Sequence, residues 1–211
     1  MTSRNTSTAR TTASRSSHVR IALIQGHPDP APERFLRSLE RSYARGALEA
    51  GHDLRTIDVA QLEFPLLRTK RDWDRAPLPA GLEKAREVVK WAEHVVILHP
   101  LWLGEMPALL KGFLEQLLRP GFAMHALEDG KRWERLLEGR SARLVVTMGM
   151  PAAIYRWYFG AHGLKNLKRN ILAFCGFGPI HATLVGSVEG LSARQRQRWL
   201  DELRELGRRA S

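Results

Sequence analysis

The chain has 211 residues, 44% of them apolar and 26% charged, a balance that suits one globular domain with a sizeable core. No apolar run approaches the roughly 18–20 residues that cross a bilayer, which argues against a transmembrane segment. The formal net charge of +11 suggests nucleic acid, but much of it sits in two places without a binding motif: Arg4, Arg10, Arg15 and Arg20, and Arg194, Arg196, Arg198, Arg204, Arg208 and Arg209 interleaved with Asp201, Glu202 and Glu205. The expectation is a solvated basic surface that attracts phosphate-bearing ligands, and no nucleic-acid partner.

In chain order, residues 1–18 are Ser/Thr/Arg-rich, lack acids and have no apolar face, so they read as a disordered tail ahead of a domain over 19–211. Their composition resembles a transit peptide, but the missing amphipathic face argues against targeting. "VRIALIQ" (19–25) predicts a buried strand. "PERFLRSLERSYARGALEAG" predicts a helix with Pro32 and Glu33 at its start, Phe35, Leu36, Leu39, Tyr43 and Ala47 on one face, and Gly51 just past its end. Residues 52–59 predict a second strand, 82–93 a helix, and "HVVIL" (94–98) a third strand buried on both faces. The next helix puts Met106, Leu109, Leu110, Phe113, Leu114 and Leu117 on one stripe. Residues 142–148 and 181–188 predict two more strands, and Ser192 with Gln195 a capping box opening a helix over 193–208. Cys175, the one cysteine, lies in "LAFCGFG" and reads as a buried structural thiol in a reducing, cytoplasmic setting.

Short apolar strands alternating with helices specify an α/β fold, a doubly wound five-stranded parallel sheet of order 2-1-3-4-5 with helices on both faces. Ligands of such sheets bind at the carboxyl ends of the strands, where the winding reverses. Three loops lie there. "GHPDPAPER" (26–34) runs into a helix N-terminus that favours a phosphate, with His27 and Arg34 able to add charge-assisted hydrogen bonds. "HPLWLGEMP" (99–107) is stiffened by Pro100 and Pro107 and offers Trp102, Leu103 and Gly104 as flat apolar surface and close backbone approach for a planar heterocycle. "TMGMPAAIYRWYFGAHG" (147–163) supplies amides at Thr147, Gly149 and Met150, followed by Tyr155 and His162. Neither GxGxxG nor a P-loop is present, and no HExxH, HxH or Cys/His cluster suggests a metal. No GxSxG elbow supports a hydrolase, so chemistry at these loops calls for a bound cofactor.

The stretch "HPLWLGEMPALLKGFLEQLLRPGFAM" resembles the NAD(P)H:quinone oxidoreductases, the flavodoxin-like-fold family that includes DT-diaphorase and ancillary subunits of potassium–proton antiporters. The likeness continues through "TMG...Y......HG" and "ILAFCGFG" to "SARQRQRWL", from residue 19 to the end. It implies a flavin, FAD or FMN, with NADH or NADPH as hydride donor and a quinone-like acceptor. It also implies a homodimer, and a membrane transporter as a peripheral partner in a regulatory alternative; a flavodoxin-like electron carrier is the other alternative. Carried over by position, Pro100, Leu101, Trp102, Leu103, Gly104 and Glu105 would face the isoalloxazine, and Thr147, Met148, Gly149 and Met150 its pyrimidine edge. Tyr155 and His162 would stabilise charge arriving there with hydride. His27, Glu33 and Arg34 would lie near the ribityl-phosphate chain and Arg194 near the adenosine end of FAD. The chain departs from the family at Pro32 and Arg34, where serine and asparagine are common, and at Leu103 and Gly104, where an aromatic pair is common.

Overall fold

The computed structural model describes residues 18–127 and 132–211, so the expectation of a disordered tail falls, His18 apart, outside the described residues. The chain order is β1 (Arg20–Gln25), α1 (Phe35–Glu49), β2 (Asp53–Asp58), α2 (Lys70–Arg75), α3 (Ala80–Trp91), β3 (His94–Pro100), α4 (Ala108–Leu117), a short hairpin of β4 (Met124–Ala126) and β5 (Trp133–Arg135), and β6 (Ser141–Thr147). Then follow α5 (Ala152–Trp157), α6 (His162–Lys165), a π-helical turn over Asn166–Ala173, β7 (Ile180–Val185) and α7 (Ala193–Arg209). Five strands pair in parallel in the order β2-β1-β3-β6-β7, the predicted winding once the β4–β5 hairpin is set apart.

Strand alternation splits the core in two. Ile21, Leu23, Val96, Leu98, Val145 and Val185 face one side, under Leu36, Leu39 and Tyr43 of α1 and Leu203 of α7. Ala22, Ile24, Val95, Ile97, Ala142 and Leu144 face the other, under Leu82 and Val89 of α3 and Leu110, Phe113 and Leu117 of α4. Each fully buried leucine or isoleucine contributes about 1.5–3 kcal/mol, which explains why a continuous apolar run such as β3 is a central strand. Glycine lets the outer helices touch. A Cβ on Gly46 would lie 1.8 Å from the Arg204 carbonyl oxygen, and one on Gly207 2.1 Å from that of Tyr43. Ser42 Oγ donates to the Leu200 carbonyl at 2.6 Å, and Glu49 pairs with Arg204 and Arg208. These contacts fix α7 against α1, and with it the arginine that reaches the strand ends.

Several boundaries differ from the sequence reading: β7 ends at Val185 where 188 was expected, and β3 runs on to Pro100 where 98 was expected. Helix α1 starts at Phe35, not at Pro32, because residues 31–34 form a turn and Arg34 at the cap lends no side-chain hydrogen bond. Helix α3 runs Ala80–Trp91, two residues earlier than expected. The Ser192–Gln195 capping box is present in both directions. Cys175 is 1% exposed, and burial pushes its thiol up to about 11, as an inert structural residue requires. Among the described residues no helix is long and apolar enough to cross a membrane.

Candidate functional site

The loops after β1, β3 and β6 meet in an open cleft of about 550 Å³ at the carboxyl ends of the strands. The first loop is tied down from three directions. Arg37, buried, holds Asp58 through two hydrogen bonds of 2.9 and 3.2 Å and donates to the Asp29 carbonyl at 3.3 Å. The Asp29 carboxylate accepts the Ala31 amide at 2.9 Å and Arg34 Nε at 2.6 Å. These two donors hold its pKa below the usual carboxylate range, with the amide the larger cause. His27 Nδ1 accepts the Asp29 amide at 3.0 Å, so a neutral imidazole carries its proton on Nε2. Partial burial lowers the His27 pKa; Asp29 opposes that, and Arg34 and Arg37 add to it. Past this loop the amides of Phe35 and Leu36, the first of α1, have no hydrogen-bond partner among the described residues. A 15-residue helix thus opens on the cleft with free N–H groups and no acid in its first turn.

The second loop is a tight turn. Trp102 and Glu105 exchange backbone hydrogen bonds of 2.9 and 3.0 Å, and Leu103 and Gly104 both have positive φ, 48° and 82°. An exposed leucine in the left-handed region is strained, and it is held there by that pair of bonds. Trp102 is 49% exposed, its ring edge-to-face with His27 at 6.0 Å. The turn stands on α6 so closely that a Cβ on Gly163 would lie 2.2 Å from the Gly104 carbonyl oxygen. Tyr155, buried, links the same parts: its hydroxyl accepts the Leu164 amide at 3.0 Å and donates to the Gly104 carbonyl at 3.4 Å. Burial raises its pKa.

The third loop contributes Thr147, Met148 and Gly149. A side chain on Gly149 would start 3.3 and 3.4 Å from the Glu189 carboxylate oxygens, so glycine keeps that wall of the cleft open. Arg196 closes the far end, donating to the carbonyls of Leu191 and Val188 at 3.2 and 2.8 Å and stacking on the Phe35 ring at 4.9 Å.

Nine of the expected residues therefore line one cleft: His27, Glu33, Arg34, Pro100, Leu101, Trp102, Thr147, Met148 and Gly149. Leu103, Gly104 and Glu105 form the turn at its edge; Met150, Tyr155, His162 and Arg194 do not line it. His162 is exposed on the far side of that turn, in a neighbouring groove with Glu105, Lys165 and Arg169. Arg194 is exposed, two residues and about 200° of helix from Arg196, which occupies the cleft instead. Asp29, Phe35, Leu36, Val188, Glu189 and Arg196 were missed. For Arg196 a signal existed: it shares a stripe with Trp199, Leu200 and Leu203, the packed face of α7.

A family model described as "Flavodoxin-like fold" matches residues 19–206. The chain belongs to this flavodoxin-like fold family. Among curated relatives, the ribosyldihydronicotinamide dehydrogenase-like protein traD of Penicillium crustosum is 24% identical over 180 residues, covering 73% of this chain; the chain spans 65% of that protein's own length. Among solved flavodoxin-like structures, the NAD(P)H:quinone oxidoreductase from Methanothermobacter marburgensis superposes with a TM-score of 0.76 at 19% identity, over 92% of this chain and all of the other. The FMN-dependent NADH-azoreductase from Bacillus anthracis, solved in complex with FMN, gives 0.69 at 18%, over 90% and 97%. At these identities the two structures speak for the fold.

Proposed function

We propose that this protein is a flavin-dependent oxidoreductase that takes hydride from NADH or NADPH and passes two electrons to a quinone-like or other aromatic acceptor. The observation that carries the reading is the strand-end cleft, in which the free amides of α1 and three cationic or potentially cationic side chains (His27, Arg34, Arg196) flank an exposed tryptophan. That donor set fits a phosphate joined to a planar ring, as FMN or FAD presents. The names borne by the relatives agree with a nicotinamide donor, a quinone acceptor and FMN.

In this reading the α1 amides, Arg34 and Arg196 bind the phosphate end, and His27 offers its Nε2 proton beside them. Trp102 and the 102–105 turn form one wall for the ring, and Thr147, Met148 and Gly149 the other. A bound flavin supplies the two-electron chemistry; the chain supplies position and electrostatics. Tyr155 holds the Gly104 carbonyl and the Leu164 amide, so it positions the turn from beneath. His162, beside the turn, is the group assigned to pass the proton. A second copy of the chain covers the exposed run Ile154, Trp157, Tyr158 and Phe159, of which Trp157 is 83% and Tyr158 82% exposed. The protein works in the cytoplasm, where its single thiol stays reduced.

Stopped-flow bleaching of the flavin by NADPH, then NADH, tests the assignment. His162→Gln should slow it roughly 100-fold, the lower end of general acid–base contributions, with flavin affinity unchanged. Wild-type rates in this variant would remove His162 from the chemistry; no bleaching by either nucleotide in the parent protein would overturn the donor.

A further inference from the structure

A second groove, of about 640 Å³, lies at the opposite end of the sheet, beside the residues that lead into β3 and β6. It shares no residue with the strand-end cleft. Four cations converge on it: Arg86 and Lys90, one turn apart on α3; Arg119, just past α4; and Arg140, immediately before β6.

None of the four has a carboxylate partner among the described residues. The Arg119 guanidinium, 7% exposed, donates to four backbone carbonyls, those of Gln116 (3.0 Å), Asp72 (2.8 Å), Ala76 (2.9 Å) and Pro77 (3.1 Å). Arg140 donates to the carbonyls of Glu138 and Lys90, and its buried Nε has no partner among the described residues. The side chains of Arg86 and Lys90 make no hydrogen bond to any described residue. Of the two acids lining the groove, Asp74 is taken by Lys70 at 2.6 Å, which leaves Glu87 alone against four positive charges. Burial, and after it the nearby Arg86 charge, lowers the Arg119 pKa, while the Asp72 carboxylate opposes both. Four like charges brought together against fewer carboxylates create a potential that an anion relieves. The apolar part of the wall includes Trp73, Phe122 and Leu136, of which Trp73 is half-buried.

We propose that this groove is a second binding site, for a diphosphate-bearing ligand of nucleotide size, with the phosphates on Arg86, Lys90, Arg119 and Arg140 and a planar base along the apolar wall. The site is independent of the oxidoreductase reading, because it uses none of the strand-end residues.

Calorimetric titration of the full chain with ADP and with inorganic pyrophosphate tests it. Arg86→Gln with Lys90→Gln should weaken both about 100-fold, a factor of about ten for each charge-assisted hydrogen bond removed. Circular dichroism melting should stay within about 2 °C of the parent, since neither side chain is bonded to the rest of the fold. Arg45→Gln, exposed on α1 and lining neither the groove nor the strand-end cleft, should leave both affinities unchanged. ADP should bind more tightly than pyrophosphate if the wall receives a base. The proposal is overturned if the parent binds neither probe at millimolar concentration, if the double variant binds as the parent does, or if Arg45→Gln abolishes binding. Equal affinity for ADP and pyrophosphate removes the base from the assignment, and binding of anionic vesicles in place of both probes makes the groove a lipid contact. Should the double variant not fold, Lys90→Gln alone carries the test, with a loss of about tenfold.

Discussion

The contact between α6 and the 102–105 turn is the mechanical support of the candidate site, and Gly163→Ala strikes it directly. The new Cβ would lie 2.2 Å from the Gly104 carbonyl oxygen and 3.0 Å from Glu105 Cα, both in a turn pinned by its own backbone hydrogen bonds. Ordinary contact is about 3.4 Å, so turn and helix must separate by roughly 1 Å. The Tyr155 hydroxyl, already 3.4 Å from the same carbonyl, then falls out of hydrogen-bonding range. Overpacking of this kind costs about 1–3 kcal/mol. In a chain of this length 2 kcal/mol lowers the melting temperature by about 4–8 °C. Because Trp102 moves with the turn, flavin affinity should fall roughly tenfold, the equivalent of about 1.4 kcal/mol. Differential scanning fluorimetry and quenching of flavin fluorescence read the two effects. A variant that melts within 1 °C of the parent and binds flavin equally well would refute the idea that this contact sets the turn.

Arg34→Ala removes a charge-assisted donor worth about 1.5 kcal/mol or more, so FMN affinity should fall about tenfold while that of riboflavin, which lacks the phosphate, stays constant; equal losses for both would mean that Arg34 only shapes the loop. Arg196→Ala should weaken flavin binding and lower the melting temperature by a few degrees, since it frees two carbonyls and uncovers Phe35, whereas Arg194→Ala should do neither; the reverse order would return Arg194 to the site. Acid should destabilise the fold early. Burial, the largest cause for both, holds His94 and His99 down at about 4 against an ordinary 6.5. The unfolded chain therefore binds more protons between pH 6.5 and 4, and stability is lost as pH falls through that window. At pH 5 the loss is about 2 kcal/mol for each histidine, to be read from urea unfolding at pH 7 and 5; a combined loss below 1 kcal/mol would mean that both protonate in place.

The sheet was legible in the sequence because a strand covered on both faces must be apolar throughout, as in "HVVIL", and that pattern admits few alternatives at five residues. The strand-end cleft followed from the winding, and Trp102 stood out because two prolines limit where its loop can go. What escaped was set by packing. Arg194, Arg196 and Arg198 differ only in helical phase, and the stripe of Trp199, Leu200 and Leu203 that α7 turns toward α1 selects Arg196. Glu189 sits in a short turn after β7 with no motif, and it enters the cleft because Gly149 has no side chain to exclude it. Asp29 was passed over beside two prolines, although its carboxylate holds both the Ala31 amide and Arg34. The β4–β5 hairpin and the π-helical turn carry no periodic signal strong enough to separate them from loop and helix.

The central claim is that the cleft at the strand ends holds a flavin. Titrating the purified full-length chain with FMN and FAD while following flavin fluorescence measures it directly. The account predicts saturable quenching by at least one of them, at one flavin per chain, weakened by Arg34→Ala and by Arg196→Ala. No quenching by either flavin, or quenching that both variants leave untouched, would contradict it.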